Sequence, residues 1–214
     1  MKKVDMSPGA ISERLRITGE LSDELLRSTF SQRYDALMRE VAELNEMRQL
    51  VQESQMTYPI TAAVRFLRNK QIDFVPRLYD YVEKGGAKES ARQLGVDTHT
   101  VVKTLVFETN ERKPLMVLMH GDREVSTKNL ARHLGVKSVE PATPERAQKL
   151  TGYMVGGTSP FGVRTKMPVY VEKSVFDLER IFLNGGKRGF LVEIEPSAIH
   201  TLLSAEEVEV AIEK

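Results

Sequence analysis

Cysteine is absent from the 214-residue sequence. That absence excludes disulfides, thiolate metal ligation and a cysteine nucleophile together. No apolar run is long enough to span a bilayer. The opening MKKVDMSPGAISERL has two lysines but no apolar core behind them, so no secretory signal is expected and a cytoplasmic setting fits. An excess of either charge is also missing. The net charge of +1 does not announce a nucleic-acid binder. Neither GxxxxGK[ST], a GxGxxG opening a helix, HExxH nor a GxSxG elbow occurs. The four histidines, at 99, 120, 133 and 200, are scattered, with no close His/Asp/Glu cluster. Each is expected to serve the surface or the packing, and neither a metal nor a cofactor is expected.

What is present is ordinary for a soluble globular chain: 41% apolar and 29% charged residues, enough for one sizeable core or a domain with an appendage. The first 55 residues carry 8 Lys/Arg against 10 Asp/Glu, the remainder 23 against 20. This first part reads as helix throughout. Ser7-Pro8 is a start signal, and Ser22 is a second candidate cap. Phe30, Tyr34, Leu37, Val41, Leu44 and Val51, with Arg48 in one slot, alternate four and three in spacing, as a heptad seam does. The seam either packs on the protein's own body or serves as an arm for a partner or a second copy, making a homo-oligomer. The spacing favours the first, because three heptads interrupted by Arg48 make a short arm. Pro59 follows a polar stretch, so the boundary is placed at Met56, giving a helical extension over 1–56 and a main domain over 57–214.

The main domain mixes helices and strands. Thr61–Ile72 predicts an amphipathic helix burying Val64, Leu67 and Phe66. DFVPRLYDY is extended, and Pro76 marks an edge or bulge. A helix over Ser90–Leu94 stops at Gly95, and Ser126 or Thr127 caps one ending at Gly135. Thr143-Pro144 starts another. Thr100–Glu108 and Lys113–His120 form a hairpin turning near Asn110. MPVYVE, RIFLNGGKRGFLVEIE and VEVAIE supply further strands, with Asn184–Gly189 as a turn. The repeated pieces ARQLGV and ARHLGV are two glycine-capped helix ends, not evidence of duplication.

Two segments can carry chemistry. In VVKTLVF, alternation puts Val101, Lys103, Leu105 and Phe107 on one face and Val102, Thr104 and Val106 on the other. A strand apolar on both faces is usually buried on both. Lys103 must therefore pair, snorkel out at an edge, or face a cavity where its donors hold an anion or a carbonyl oxygen. In TGYMVGGTSPFG, Thr151 to Gly162, consecutive glycines can aim amide N–H groups at one point while Pro160 stiffens the turn. The same chemistry also makes a plain structural turn.

VVKTLVF, TGYMVGGTSPFG and FLNGGKRG, in this order and at these separations, resemble the YbaK/EbsC family of Cys-tRNA(Pro) deacylases and prolyl-tRNA-synthetase-associated editing domains. The likeness runs from about Tyr58 to the C-terminus. It implies a mixed α/β fold, a curved mixed β-sheet approaching a barrel with helices around it. It implies hydrolysis of the ester joining a wrong amino acid to the 3′-terminal adenosine of a tRNA, with water or a substrate group as nucleophile and no cofactor. By the same resemblance Lys103, Gly156 and Gly157 would be catalytic. Tyr79, Thr104, Thr158, Ser159, Pro160, Gly185, Gly186, Lys187 and Arg188 would bind substrate. Aminoacyl-tRNA, with tRNA(Pro) first, and prolyl-tRNA synthetase are the implied partners. Arg164 and Lys166 either meet tRNA phosphates or stand in solvent. A binding module that keeps the pocket without hydrolysis is the competing expectation.

Overall fold

The computed structural model describes residues 7–20, 34, 37–45 and 58–213. The chain divides into two compact units, Met1–Met56 and Thr57–Lys214. In the first, residues 8–20 are helical, with Pro8 in the first turn and the Ser7 hydroxyl accepting from Ala10 N. Residues 37–45 form helix as well, and Tyr34, Leu37, Val41 and Leu44 of the heptad seam are exposed. Ser22, Phe30, Arg48, Val51 and the boundary residue Met56 lie outside the described residues. Among the described residues no helix is long and apolar enough to cross a membrane.

The second unit is built on one mixed sheet. Its strands are β1 (Val75–Leu78), β2 (Val101–Thr109), β3 (Pro114–His120), β6 (Val169–Glu172), β7 (Ile181–Lys187), β8 (Phe190–Ile194) and β9 (Glu206–Val208), in the order β1-β8-β7-β2-β3-β6-β9. A short β5 (Val139–Pro141) also pairs with β2, and β4 (Arg123–Val125) forms a separate two-stranded sheet with β10 (Ala211–Glu213). Pro76 sits on edge strand β1, where its missing N–H costs no ladder bond. β2 and β3 are the expected hairpin, paired from Val102↔His120 to Glu108↔Pro114.

Five helices cover the sheet: α1 (Ala62–Asn69), α2 (Gly86–Leu94), α3 (Thr127–Leu134), α4 (Pro144–Thr151) and α5 (Ser197–Leu203). Side-chain caps start three of them, Thr61, Ser126 and Thr143 each accepting a backbone N–H of the first turn. Left-handed Gly95, Gly135 and Gly152 end α2, α3 and α4.

Strand alternation sorts β2's side chains between two covers. Val102 and Val106 join Met116, Leu118, Leu183 and Val192 beneath α1, α4 and α5. On the opposite face Val101 packs with α2 through Ala91, and Phe107 with α3 through Leu130 and Ala131. Lys103 falls between these last two clusters, where neither helix closes over it.

Three details depart from the sequence reading. The turn between β7 and β8 is narrower than Asn184–Gly189: β7 runs on to Lys187 through a bulge between Asn184 and Lys187. VEVAIE is not one strand but parts of β9 and β10, which belong to different sheets. β4, β5 and α5 were not legible, being too short to show a period.

Candidate active site

The edge of β2 opposite β3 is shared by two partners. β7 pairs with Val101 and Val102, β5 with Phe107 to Thr109, and Ala142 N donates to Val106 O at 2.9 Å. Between them, Lys103 to Leu105 have no neighbouring strand on that side. Backbone groups alternate direction along a strand. The Thr104 N–H and C=O therefore face the opening as the Val106 carbonyl faces Ala142.

A cavity of about 780 Å³ occupies this opening and is lined from both faces of the strand. Lys103, Leu105, Ala87, Ser90 and Thr127 come from one side, and Val102, Thr104, Val106, Pro144 and Ala147 from the other. Its size lies in the range of small-molecule sites. The Lys103 ammonium donates to Arg123 O. That carbonyl is held in place by its surroundings. Asp122 accepts from His99 Nδ1 at 2.9 Å and faces Arg123 Nε at 3.8 Å, and Arg123 reaches Glu213 across the β4–β10 pair. Burial pushes the Asp122 carboxyl up, but the His99 hydrogen bond and the charges of His99 and Arg123 outweigh it and hold the group below its usual range. His120, buried beneath, stacks on His99 with ring centroids 3.7 Å apart and bonds Ser174. The histidines at 99 and 120 are thus one unit supporting the turn beneath Lys103.

The glycine loop forms the second wall. Its geometry depends on the β7–β8 turn. Asn184 Nδ2 donates to Gly156 O at 3.0 Å, and Arg188 Nε donates to Val155 O at 2.9 Å. Gly157 is required by close approach: a Cβ there would lie 3.0 Å from Arg188 N and 3.1 Å from Lys187 C. Gly156 has φ +86°, a left-handed conformation that favours glycine. The Gly157 amide is spent on the turn itself, donating to Met154 O at 2.8 Å. Among the described residues the amides of Gly156 and Thr158, both beside the cavity, have no protein acceptor.

Of the residues expected from sequence, Lys103, Thr104, Tyr79, Gly156, Thr158 and Arg188 line this one cavity. Gly157, Ser159, Pro160, Gly185, Gly186 and Lys187 do not line it. Ser159 is buried and accepts from Phe161 N, and Pro160 is buried beside it. Gly185 and Gly186 form the β7 bulge, fixed by Thr61 Oγ1 donating to Gly185 O at 2.5 Å and by Gly186 N donating to Asn184 Oδ1 at 2.9 Å. Lys187 is exposed. The Thr104 hydroxyl is buried with no hydrogen-bond partner among the described residues. Burial pushes the Tyr79 phenol up, so it stays protonated. The Glu89 carboxyl, also in the lining, is held down to about 2 by hydrogen bonds from Arg92 and Gln93. Ser90 donates to carbonyls of its own helix, and no histidine lines the cavity. Among the described residues no cluster of three or more His, Cys, Asp or Glu is placed to hold a metal ion.

Sequence reasoning missed Asn184, which ties the glycine loop to the bulge. Its signal was the Asn-Gly-Gly bend, read only as a turn. Arg123 carried no signal, since it acts through its backbone.

Comparisons with known proteins converge on this region. Residues 83–202 match the model of the aminoacyl-tRNA editing domain. An Enterococcus faecalis protein named as the Cys-tRNA(Pro)/Cys-tRNA(Cys) deacylase EbsC is 30% identical over 151 residues, 70% of this chain and 92% of its own length. The proline–tRNA ligase of Limosilactobacillus fermentum is 28% identical over 135 residues, and the chain spans 24% of that much longer protein. A crystal structure described as a trans-editing enzyme for prolyl tRNA synthetase superposes with a TM-score of 0.65 at 23% identity, over 73% of this chain and 99% of that one, and shows the same fold. With more than half of its length inside the family model, and a relative matched almost end to end, the chain belongs to the aminoacyl-tRNA editing family and is an aminoacyl-tRNA deacylase.

Proposed function

We propose that the protein acts in trans in the cytoplasm, removing a wrong amino acid from tRNA(Pro) by hydrolysing the ester at the 3′-terminal adenosine, with cysteine and alanine as the first candidates. One observation carries this reading. Lys103, from an otherwise apolar strand, and Gly156 and Thr158, whose amides have no protein acceptor among the described residues, line one cavity that offers no histidine or cysteine nucleophile system. Such a site stabilises charge and leaves the attack to water. The ester carbonyl oxygen is received between Lys103 and the glycine loop. Water adds to the carbonyl carbon, and the negative charge that develops on the oxygen meets donors already in place. The C–O bond to the ribose then breaks, and the ribose oxygen takes the proton given up by the attacking water. His99, Asp122 and the Arg123 carbonyl fix where the ammonium stands, and Asn184 and Arg188 fix the loop. The likeness to segments of proline–tRNA ligases supports tRNA(Pro) as the substrate carrier and the synthetase as a partner.

The test is ester loss from purified tRNA(Pro) charged with Cys, Ala, Ser or Pro. Rapid loss of Cys or Ala with Pro spared is expected. Stable esters throughout would sink the hydrolase and leave a binding module.

A further inference from the structure

Tyr81 stands at the mouth of the cavity and is 38% exposed. Its ring is backed by the Arg188 guanidinium, 4.9 Å from the centroid. The bond from Arg188 Nε to Val155 O holds that cation in place. The ring also touches the glycine loop. A Cβ at Gly156 would lie 3.2 Å from Tyr81 Oη and 3.3 Å from its ring edge, so a side chain there would crowd the tyrosine's tip and glycine leaves it room. Val82 and Val155 are exposed and share the cavity lining with it, as does Lys84. An aromatic plane with a guanidinium behind it and apolar groups beside it offers one face to a flat partner, within a cationic surround. Tyr79, the other tyrosine of the lining, packs in the α2 cluster and offers no such face.

We propose that Tyr81, backed by Arg188, is the platform on which the 3′-terminal nucleobase of the tRNA stacks. This rests on the deacylase reading. With the ester carbonyl between Lys103 and Gly156, the ribose leaves toward the mouth, and Tyr81 is the aromatic ring whose edge lies against Gly156. Stacking of this kind tolerates any base, so the platform binds the end common to all tRNAs and leaves discrimination to the inner cavity.

Binding can be read without hydrolysis, using uncharged tRNA with 2-aminopurine in place of the terminal adenine. The wild type should quench its fluorescence on binding. Tyr81→Leu keeps apolar bulk without the ring. It should lose the quench and weaken binding about tenfold or more, with Tyr81→Phe restoring both. For the charged tRNA, the loss in Tyr81→Leu should fall on KM rather than kcat. Tyr81→Leu that quenches and binds as the wild type does overturns the platform. A wild type that hydrolyses the ester without any quench overturns it too, and leaves the deacylase standing. Quench and binding without hydrolysis of any charged tRNA uphold the platform and overturn the deacylase reading.

Discussion

Gly157→Ala tests whether the seating of the glycine loop sets the rate. The added methyl would meet the Arg188 nitrogen at 3.0 Å and the Lys187 carbonyl carbon at 3.1 Å. Both are backbone atoms of the β7–β8 turn, and neither can swing aside as a side-chain tip would. Gly157 is not in a left-handed conformation, so alanine is not strained there in itself and the whole effect is displacement. Relief to an ordinary contact moves the loop outward by about 0.4 Å. That stretches the two bonds holding it, Arg188 Nε to Val155 O at 2.9 Å and Asn184 Nδ2 to Gly156 O at 3.0 Å. Losing most of both costs about 1–2 kcal/mol, a fall of roughly 2–8 °C in Tm for a domain of this size. The rate should suffer more. The amides of Gly156 and Thr158 move with the loop, and loss of one such donor costs on the order of a hundred- to a thousandfold, so partial displacement should lower kcat about ten- to a hundredfold. Gly135→Ala is the control. Gly135 ends α3 at φ +64° with nothing within 4 Å of its Cβ position. It should lose about 1–2 kcal/mol to backbone strain while deacylating at the wild-type rate. Single-turnover deacylation beside thermal melts reads both. Gly157→Ala with wild-type kcat would refute the argument that this loop supplies the donors.

The remaining predictions address charge. Lys103→Met keeps the stem and removes the ammonium, and kcat should fall by about two to three orders of magnitude with the melt shifted by only a few degrees. Full activity in single-turnover assays would remove Lys103 from the chemistry. His120 is buried, which pushes its imidazole below the usual range, although its bond to the His99 carbonyl pulls the other way. A base whose folded pKa is depressed stabilises fully above its unfolded value, about 6.5, and loses that contribution as pH falls toward the folded value. Melting temperature should therefore drop between about pH 7 and 5, and His120→Gln should flatten that part of the profile. An unchanged slope in the variant would assign the drop to other groups. Lys84 and Arg188 on the rim should make KM rise steeply with added salt, and a flat response would mean few phosphate contacts.

How much of this was readable follows from which features are local. The hairpin, the caps at Ser126 and Thr143 and the glycine stops at Gly95 and Gly135 depend on neighbours a few residues away, and the structure has them where the sequence put them. Lys103 was conspicuous because alternation left one charge on an apolar face. Nothing in VVKTLVF, however, could say which of three fates the lysine meets. That depends on β5 and β7, which lie about 35 and 80 residues further along the chain and stop short of each other on the edge of β2. Had the pairing of β7 with β2 run on by two residues, to Thr104, the Thr104 amide and carbonyl would be paired, the opening closed, and Lys103 a lysine covered by sheet. Asn184 and Tyr81 were hidden for the same reason. Each has its effect through the glycine loop, and their contacts with it exist only once the β7–β8 turn folds back onto residues 154–157. The chemistry of the site is thus written in single residues, but its location is a property of strand lengths, since the cavity exists where two partners of one edge fail to meet.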